Sequence, residues 1–384
     1  MNKQSCNMTN WTTSPSPHTR NGIRQNSLPP KDSRLNPKTS LIVAFSFAVL
    51  LLIFSTPSAT AQEFVAPQGD VVSRDVREMY DRGLAYLVST QTDDGTWASS
   101  GERGAGTTGL GLLALLASGE DPNFGPYRTP IRKAVQHLIK TQSDSTGYMG
   151  PSMYHHGFAL LALSEAYGAV DETDLWAGSS DAVNRSIAET LELGVRCALT
   201  SQKSNPLGAW RYSPRTRDAD TSVSGAVLMG LLAARNAGIE VPDENVDRAI
   251  KYFTSMTGGN GIVGYSGGLG GFGESIARSS IACLVYSIAG RKDLKQYEAT
   301  KSYLINNLSE SSSWPEYSRY YQAQALFQAD IDAWEKWNRS LVRKLKSAQK
   351  EDGSFQGDLG PANSTSMGLL ALALNYRFLP IYER

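Results

Sequence analysis

A chain of 384 residues with 41% hydrophobic content is long enough to bury one large core or two ordinary ones. Its 37 Lys and Arg balance 37 Asp and Glu, so it lacks the basic excess that marks a nucleic-acid binder. Cys6, Cys197 and Cys283 are too few and too scattered for a disulfide framework or a zinc knuckle.

Residues 1–40 are rich in Asn, Ser, Thr and Pro, which predicts a disordered leader. The apolar run Leu41–Phe54 follows Lys38 and falls short of the ~20 residues that span a bilayer. Ala59-Thr60-Ala61 then offers a small-x-small cleavage site. Residues 41–61 therefore read as an export signal, with the mature chain starting near Gln62, or as an uncleaved membrane anchor through 41–54. Either reading makes 62–384 an exported, extracytoplasmic domain.

From Val71 onward the chain repeats one unit: an amphipathic helix, a polar turn with Gly and an aromatic residue, then a more apolar helix. The units run Asp75–Ser89 with Thr107–Ser118, Pro130–Lys140 with Tyr154–Tyr167, and Ser186–Thr200 with Asp220–Ala237. They continue as Asn245–Ser255 with Glu274–Ala289, Tyr297–Leu308 with Tyr317–Ala329, and Trp334–Ser347 with Asn363–Tyr376. The second helices share a frame in which Thr108-Gly109, His156-Gly157, Ser224-Gly225 and Met367-Gly368 correspond. Ser279-Ser280 and Tyr321-Gln322 are degenerate versions of it. A helix apolar on most faces is buried, and a small residue at a fixed place lets its neighbours approach. Six helical hairpins with the apolar member inside predict an all-α fold, an α/α toroid with inner and outer rings. An open solenoid would need polar capping repeats, and the sixth unit keeps the full apolar pattern.

The turns Gln91–Trp97, Gln202–Trp210 and Gln349–Phe355 resemble the QW repeat of squalene cyclases. That repeat class is shared with protein prenyltransferase β subunits, so the chain resembles the terpenoid cyclase and prenyltransferase superfamily over about residues 71–380. The resemblance implies the toroid fold, a central cavity for an isoprenoid or other small apolar ligand, and a structural role for Gln91, Trp97, Gln202 and Gln349. Trp210 fits either a structural role or substrate contact.

Squalene cyclases hold their proton donor in an Asp-x-Asp-Asp-Thr segment at the head of an inner helix, and aromatic faces stabilise the cation formed. Asp218-Ala219-Asp220-Thr221 is an incomplete match: in the Asp-Thr register, the family's donor position is Ala219. Asp218 and Asp220 are nevertheless the catalytic candidates. In the alternative reading Asp220 caps its helix and Asp218 pairs with Arg215 or Arg217. Tyr154, His155, His156, Trp210, Tyr212, Trp314, Tyr320 and Tyr321 are the candidate substrate contacts at the inner-helix starts. Core packing and capping compete for these residues, and adjacent histidines on a helix point in different directions. No metal or other cofactor is expected, because Cys283 lacks the neighbouring Asp of the prenyltransferase zinc site. The glycine-rich stretch Gly258–Gly273 has no Lys-Ser/Thr after it and is not a phosphate cradle; it reads as a mobile loop over the pocket or a long connection. Two rival functions stay open. One is a carbohydrate-active toroid, for which Glu274 is the evident second carboxylate, and the other is a non-catalytic scaffold.

Overall fold

The computed structural model describes residues 72–376 and 379–382, apart from 99–103, 174, 178–184, 268–272 and 310–313. The leader, the apolar run 41–54 and the cleavage site lie outside the described residues, as does most of the Gly267–Gly273 loop. No described helix is long and apolar enough to cross a membrane.

Among the described residues there are twelve α-helices, six of them outer and six inner, and a short 3₁₀ turn at Pro380–Tyr382. The outer helices are α1 (Arg74–Thr90), α3 (Arg128–Thr141), α5 (Ile187–Ser204), α7 (Asp243–Met256), α9 (Lys295–Asn306) and α11 (Ile331–Ala348). The inner helices are α2 (Ala105–Leu116), α4 (Met153–Ala166), α6 (Thr221–Asn236), α8 (Ile276–Ile288), α10 (Pro315–Ala329) and α12 (Pro361–Ala373). Each inner helix packs on the next, and α12 returns to α2 while α11 meets α1. The inner ring is thus closed, and the domain is an α/α toroid.

Packing of the inner ring explains its small residues. A Cβ on Gly157 would lie 2.6 Å from the Ala226 carbonyl oxygen, so α4 and α6 touch through backbone. Gly109 meets the Phe158 carbonyl oxygen at the same distance and brings α2 onto α4. The outer helices turn one apolar stripe inward; α11, for example, buries Trp334, Trp337, Leu341 and Leu345.

One hydrogen-bonded joint recurs between units. A Gln closing an outer helix donates from Nε2 to a carbonyl in its own turn and to one in the next outer helix. Gln91 reaches Gly95 (3.0 Å) and Pro130 (2.9 Å), Gln142 reaches Gly147 (3.1 Å) and Thr190 (2.8 Å), and Gln202 reaches Gly208 (2.9 Å) and Asn245 (2.8 Å). The turn glycine of the sixth unit, Gly353, has φ +88°, and a Cβ there would lie 2.2 Å from the Arg82 carbonyl oxygen. Only glycine satisfies both conditions.

A second joint ties turn to inner helix. The backbone N–H of Trp210 donates to Ser224 Oγ (3.0 Å), that of Phe355 to Thr365 Oγ1 (2.9 Å), and that of Met149 to His156 Nδ1 (3.1 Å). In the first unit Thr96 and Thr108 pair through their hydroxyls at 2.7 Å. These contacts align Thr365, rather than Met367, with Ser224 and Thr108. The expected register of the sixth inner helix is therefore shifted, because the polar latch defines the correspondence more strictly than the small residue does.

Candidate functional site

The N-terminal ends of the inner helices carry the polar and aromatic groups expected at the mouth of the ring. Helices α4 and α10 are the second and fifth inner helices and face each other across it. Their first turns meet: the rings of Tyr154 and Tyr317 lie 6.2 Å apart, and those of Phe158 and Tyr320 lie 6.1 Å apart one turn deeper. Tyr321 packs edge-on against both Tyr317 (4.9 Å) and Tyr320 (4.7 Å). An aromatic bridge therefore crosses the ring where an open apolar cavity was expected.

Asp220 heads α6 beside this bridge. It is the N-cap, with Oδ1 accepting from the Val223 N–H at 2.8 Å, and it is fully buried. Oδ2 has no hydrogen bond among the described residues and lies 3.9 Å from Arg211 Nε. Burial pushes the carboxyl up to about 6, against the opposing pull of the Val223 N–H and the Arg211 charge. The helix-capping reading is correct, and the cap uses only one of the two oxygens.

Asp218 stands outside this core. It pairs with Arg211, not with Arg215 or Arg217, and its Oδ1 accepts from the Ala219 N–H at 2.8 Å. Arg211 is stacked between Tyr212 and Tyr265, with its guanidinium carbon 5.8 Å from each ring centroid. The two tyrosine hydroxyls bond each other at 2.8 Å, and the Tyr212 side chain is 51% exposed. The Tyr212–Arg211–Tyr265 stack forms the outer wall beside Asp220.

The two histidines separate. The His155 ring accepts the Gly106 N–H at Nδ1 (3.1 Å), at the contact between α4 and the head of α2. His156 is buried with both nitrogens used: Nδ1 takes the Met149 N–H, so Nε2 carries hydrogen and donates to the Gly194 carbonyl at 3.0 Å. Burial lowers this imidazole to about 4. His156 thus latches α4 to α5 and keeps no polar atom for a ligand. Trp210 is likewise inside the wall, with its indole N–H on the Ala198 carbonyl at 2.9 Å, as Trp97 binds Leu87 at 2.7 Å. Its indole N–H is used within the wall. Trp314 caps α10 and is 48% exposed, whereas Tyr320 and Tyr321 are buried in the bridge.

Glu274 is exposed, and its Oε2 accepts from Tyr303 OH at 3.4 Å. At the inner-helix starts, the buried carboxylate that sequence reasoning missed is Glu316, in the first turn of α10, whose Oε1 accepts from the Leu359 N–H at 3.0 Å. Its signal was an acid directly before Tyr317 at an inner-helix start. Arg211 was missed too, although it follows Trp210 directly. A separate groove of about 640 Å³ lies between α5 and α7 on the outside; it is lined by Glu192, Arg196, Lys203 and Arg248 and involves none of these groups.

The fold and these residues define an α/α toroid with a buried acid and an aromatic bridge at one mouth. The α-1,6-mannanase GH76A of Salegentibacter sp. HEL1_6 has this fold, with a TM-score of 0.59 and 8% identity over 79% of this chain and 99% of that one. The type II terpene cyclase MstE from Scytonema shares it too. A variant of MstE in complex with geranylgeranyl dihydroxybenzoate matches with a TM-score of 0.54 and 15% identity, covering 79% of this chain and 98% of that one. At such identities the likeness concerns the fold alone. No family model matches the sequence, and no curated protein matches it.

Proposed function

We propose that the protein binds an apolar, isoprenoid-like molecule at the mouth of its ring and that Asp220 is the proton donor of an acid-initiated isomerisation. The observation that carries this reading is the free Oδ2 of Asp220, buried beside an aromatic bridge and held in its acid form to about 6. In the proposed step an alkene π pair forms a C–H bond with the Asp220 proton, leaving a carbocation on the neighbouring carbon. The faces of Tyr154, Tyr317 and Tyr321 stabilise that cation, and Arg211 stabilises the carboxylate left behind. Loss of a proton from carbon ends the reaction without net change in composition. The ligand must part Tyr154 from Tyr317 or lie over them. The terpene cyclase fold likeness and the squalene cyclase-like turns support this substrate class. Export, with membrane attachment through 41–54 where that run is retained, belongs to the same proposal.

The test is incubation of residues 62–384 with geranylgeranyl compounds, followed by chromatography for isomers of unchanged mass. Conversion by the parent protein and none by Asp220→Asn, with retained binding, supports the reading. Absence of thermal protection by any polyprenyl compound at saturation sinks it.

A second reading, a carbohydrate-active toroid, is favoured by one observation: Glu316 supplies a second buried carboxylate at an inner-helix start. Glycosidases use two such groups, and the mannanase has the same fold. Release of reducing ends from polysaccharides, lost in both Asp220→Asn and Glu316→Gln, would establish it.

A further inference from the structure

Glu316 sits in a recess that the proposed proton donation does not use. The recess is formed by the first turns of α10 and α12 and by the loop 356–359. Glu316 and Ser364 are both buried, yet Glu316 Oε2 and Ser364 Oγ have no hydrogen-bond partner among the described residues. Asn363, half-buried beside them, donates from Nδ2 to the Leu359 carbonyl (3.1 Å) and leaves Oδ1 without a partner. Buried polar atoms are almost always hydrogen-bonded, so Glu316 Oε2 and Ser364 Oγ, unmatched on neighbouring side chains, call for a donor from beyond the described residues.

Gly357 lies directly over these groups. This residue is exposed, and a Cβ on it would lie 2.5 Å from Glu316 Cδ and 2.6 Å from Ser364 Oγ. Any side chain at 357 would clash with the carboxyl and hydroxyl groups, whereas glycine lets an exposed loop lie directly on them.

The chemistry of the recess selects among ligands. The N-terminal ends of α10 and α12 both converge here and carry partial positive charge, which disfavours an ammonium or metal ion. The Glu316 carboxylate disfavours an anion. A neutral hydroxyl meets both conditions, since it donates to Glu316 Oε2 and accepts from the Ser364 hydroxyl.

We infer that the Glu316–Ser364 recess is a hydroxyl-recognition subsite that takes the hydroxylated end of the ligand. The inference rests on the proposed isoprenoid reading for the apolar remainder of that ligand, but not for the recess itself. Glu316→Gln replaces the free acceptor with a donor, and Ser364→Ala removes the second group.

The experiment is calorimetric titration of the parent protein and both variants with farnesol and with farnesyl methyl ether, which keeps the chain and the oxygen, adds one methyl group and lacks the donor. Circular dichroism melts of each variant verify folding, and either variant alone suffices. The parent is expected to bind the alcohol about tenfold more tightly, the effect of one charge-assisted hydrogen bond. Each variant should lose that preference while its affinity for the ether stays the same. Equal affinity of the parent for alcohol and ether overturns the inference, because the recess then holds only solvent. Where neither farnesyl compound binds, the isoprenoid reading fails and myo-inositol decides the recess: Glu316-dependent binding upholds it, and no binding overturns it.

Discussion

Gln349 Nε2 donates to the Met79 carbonyl at 2.8 Å, joining the last turn of the repeat to its first helix. The same nitrogen binds the Gly353 carbonyl at 2.9 Å. The joint that links neighbouring units elsewhere here links the two ends of the ring, so closure uses the same bonds as propagation.

Gln349→Ala removes both bonds and leaves two carbonyls short of a donor. The expected loss is about 2 kcal/mol, at roughly 1 kcal/mol per neutral hydrogen bond. Urea denaturation measures it. A change within a few tenths of a kcal/mol would show that closure rests on the apolar contacts of α12 with α2 alone.

Two glycines with positive φ separate backbone strain from steric contact. Gly353 (φ +88°) faces the Arg82 carbonyl oxygen, whereas Gly290 (φ +70°) has open space around it. Gly290→Ala should cost about 1 kcal/mol, the penalty for a left-handed residue. Gly353→Ala should cost at least about 3 kcal/mol more, because the clash forces α1 away from the turn. Thermal melts of the two variants make the comparison.

His156 makes stability depend on pH. Its folded-state value of about 4 lies below the ordinary 6.5, so the unfolded chain binds the extra proton first. Its contribution is fully present above 6.5 and is lost as pH falls from there toward 4, by on the order of 3 kcal/mol. His156→Thr supplies the latch hydroxyl found at Ser224 and Thr365. It should be less stable at neutral pH because of the lost ring volume, and it should lack this acid-side slope in denaturant midpoints.

Asp220 acts in the opposite sense. Its folded-state value of about 6 exceeds the ordinary 3.8, so its favourable contribution is present below 3.8 and lost as pH rises through 6. Asparagine caps helices as well as aspartate does. Asp220→Asn should therefore gain about 1–3 kcal/mol relative to the parent at pH 8 compared with pH 4. Such a gain marks a residue retained at a cost to stability, which is usual for active-site groups. Paired denaturant titrations at the two pH values measure it.

The repeat made the fold legible. Helix pairs, their inner and outer assignment and ring closure all follow from apolar pattern and small residues, which act locally or between adjacent units. The site was legible only in part. Asp220 stood out because an acid before an apolar helix is a local signal. The aromatic bridge depends on Tyr154 meeting Tyr317 across the ring, a contact that no spacing along one helix encodes. His156 and Trp210 looked like site residues because they flank inner-helix starts. The structure turns both into the wall, where their nitrogens satisfy backbone groups of α5 and, for His156, of its own turn. Asp218 took Arg211 as partner because the turn folds back on itself, beyond the reach of nearest-neighbour reasoning.

The most direct test of the account is the ionisation of Asp220 itself, followed by ¹³C NMR of labelled aspartate carboxyls, with Asp220→Asn to assign the signal. The account predicts a midpoint near 6, moving upward when Arg211 is replaced by Met, because the guanidinium favours the carboxylate. A midpoint at the ordinary 3.8 would contradict it, since Asp220 would then be a solvated helix cap and not a buried acid.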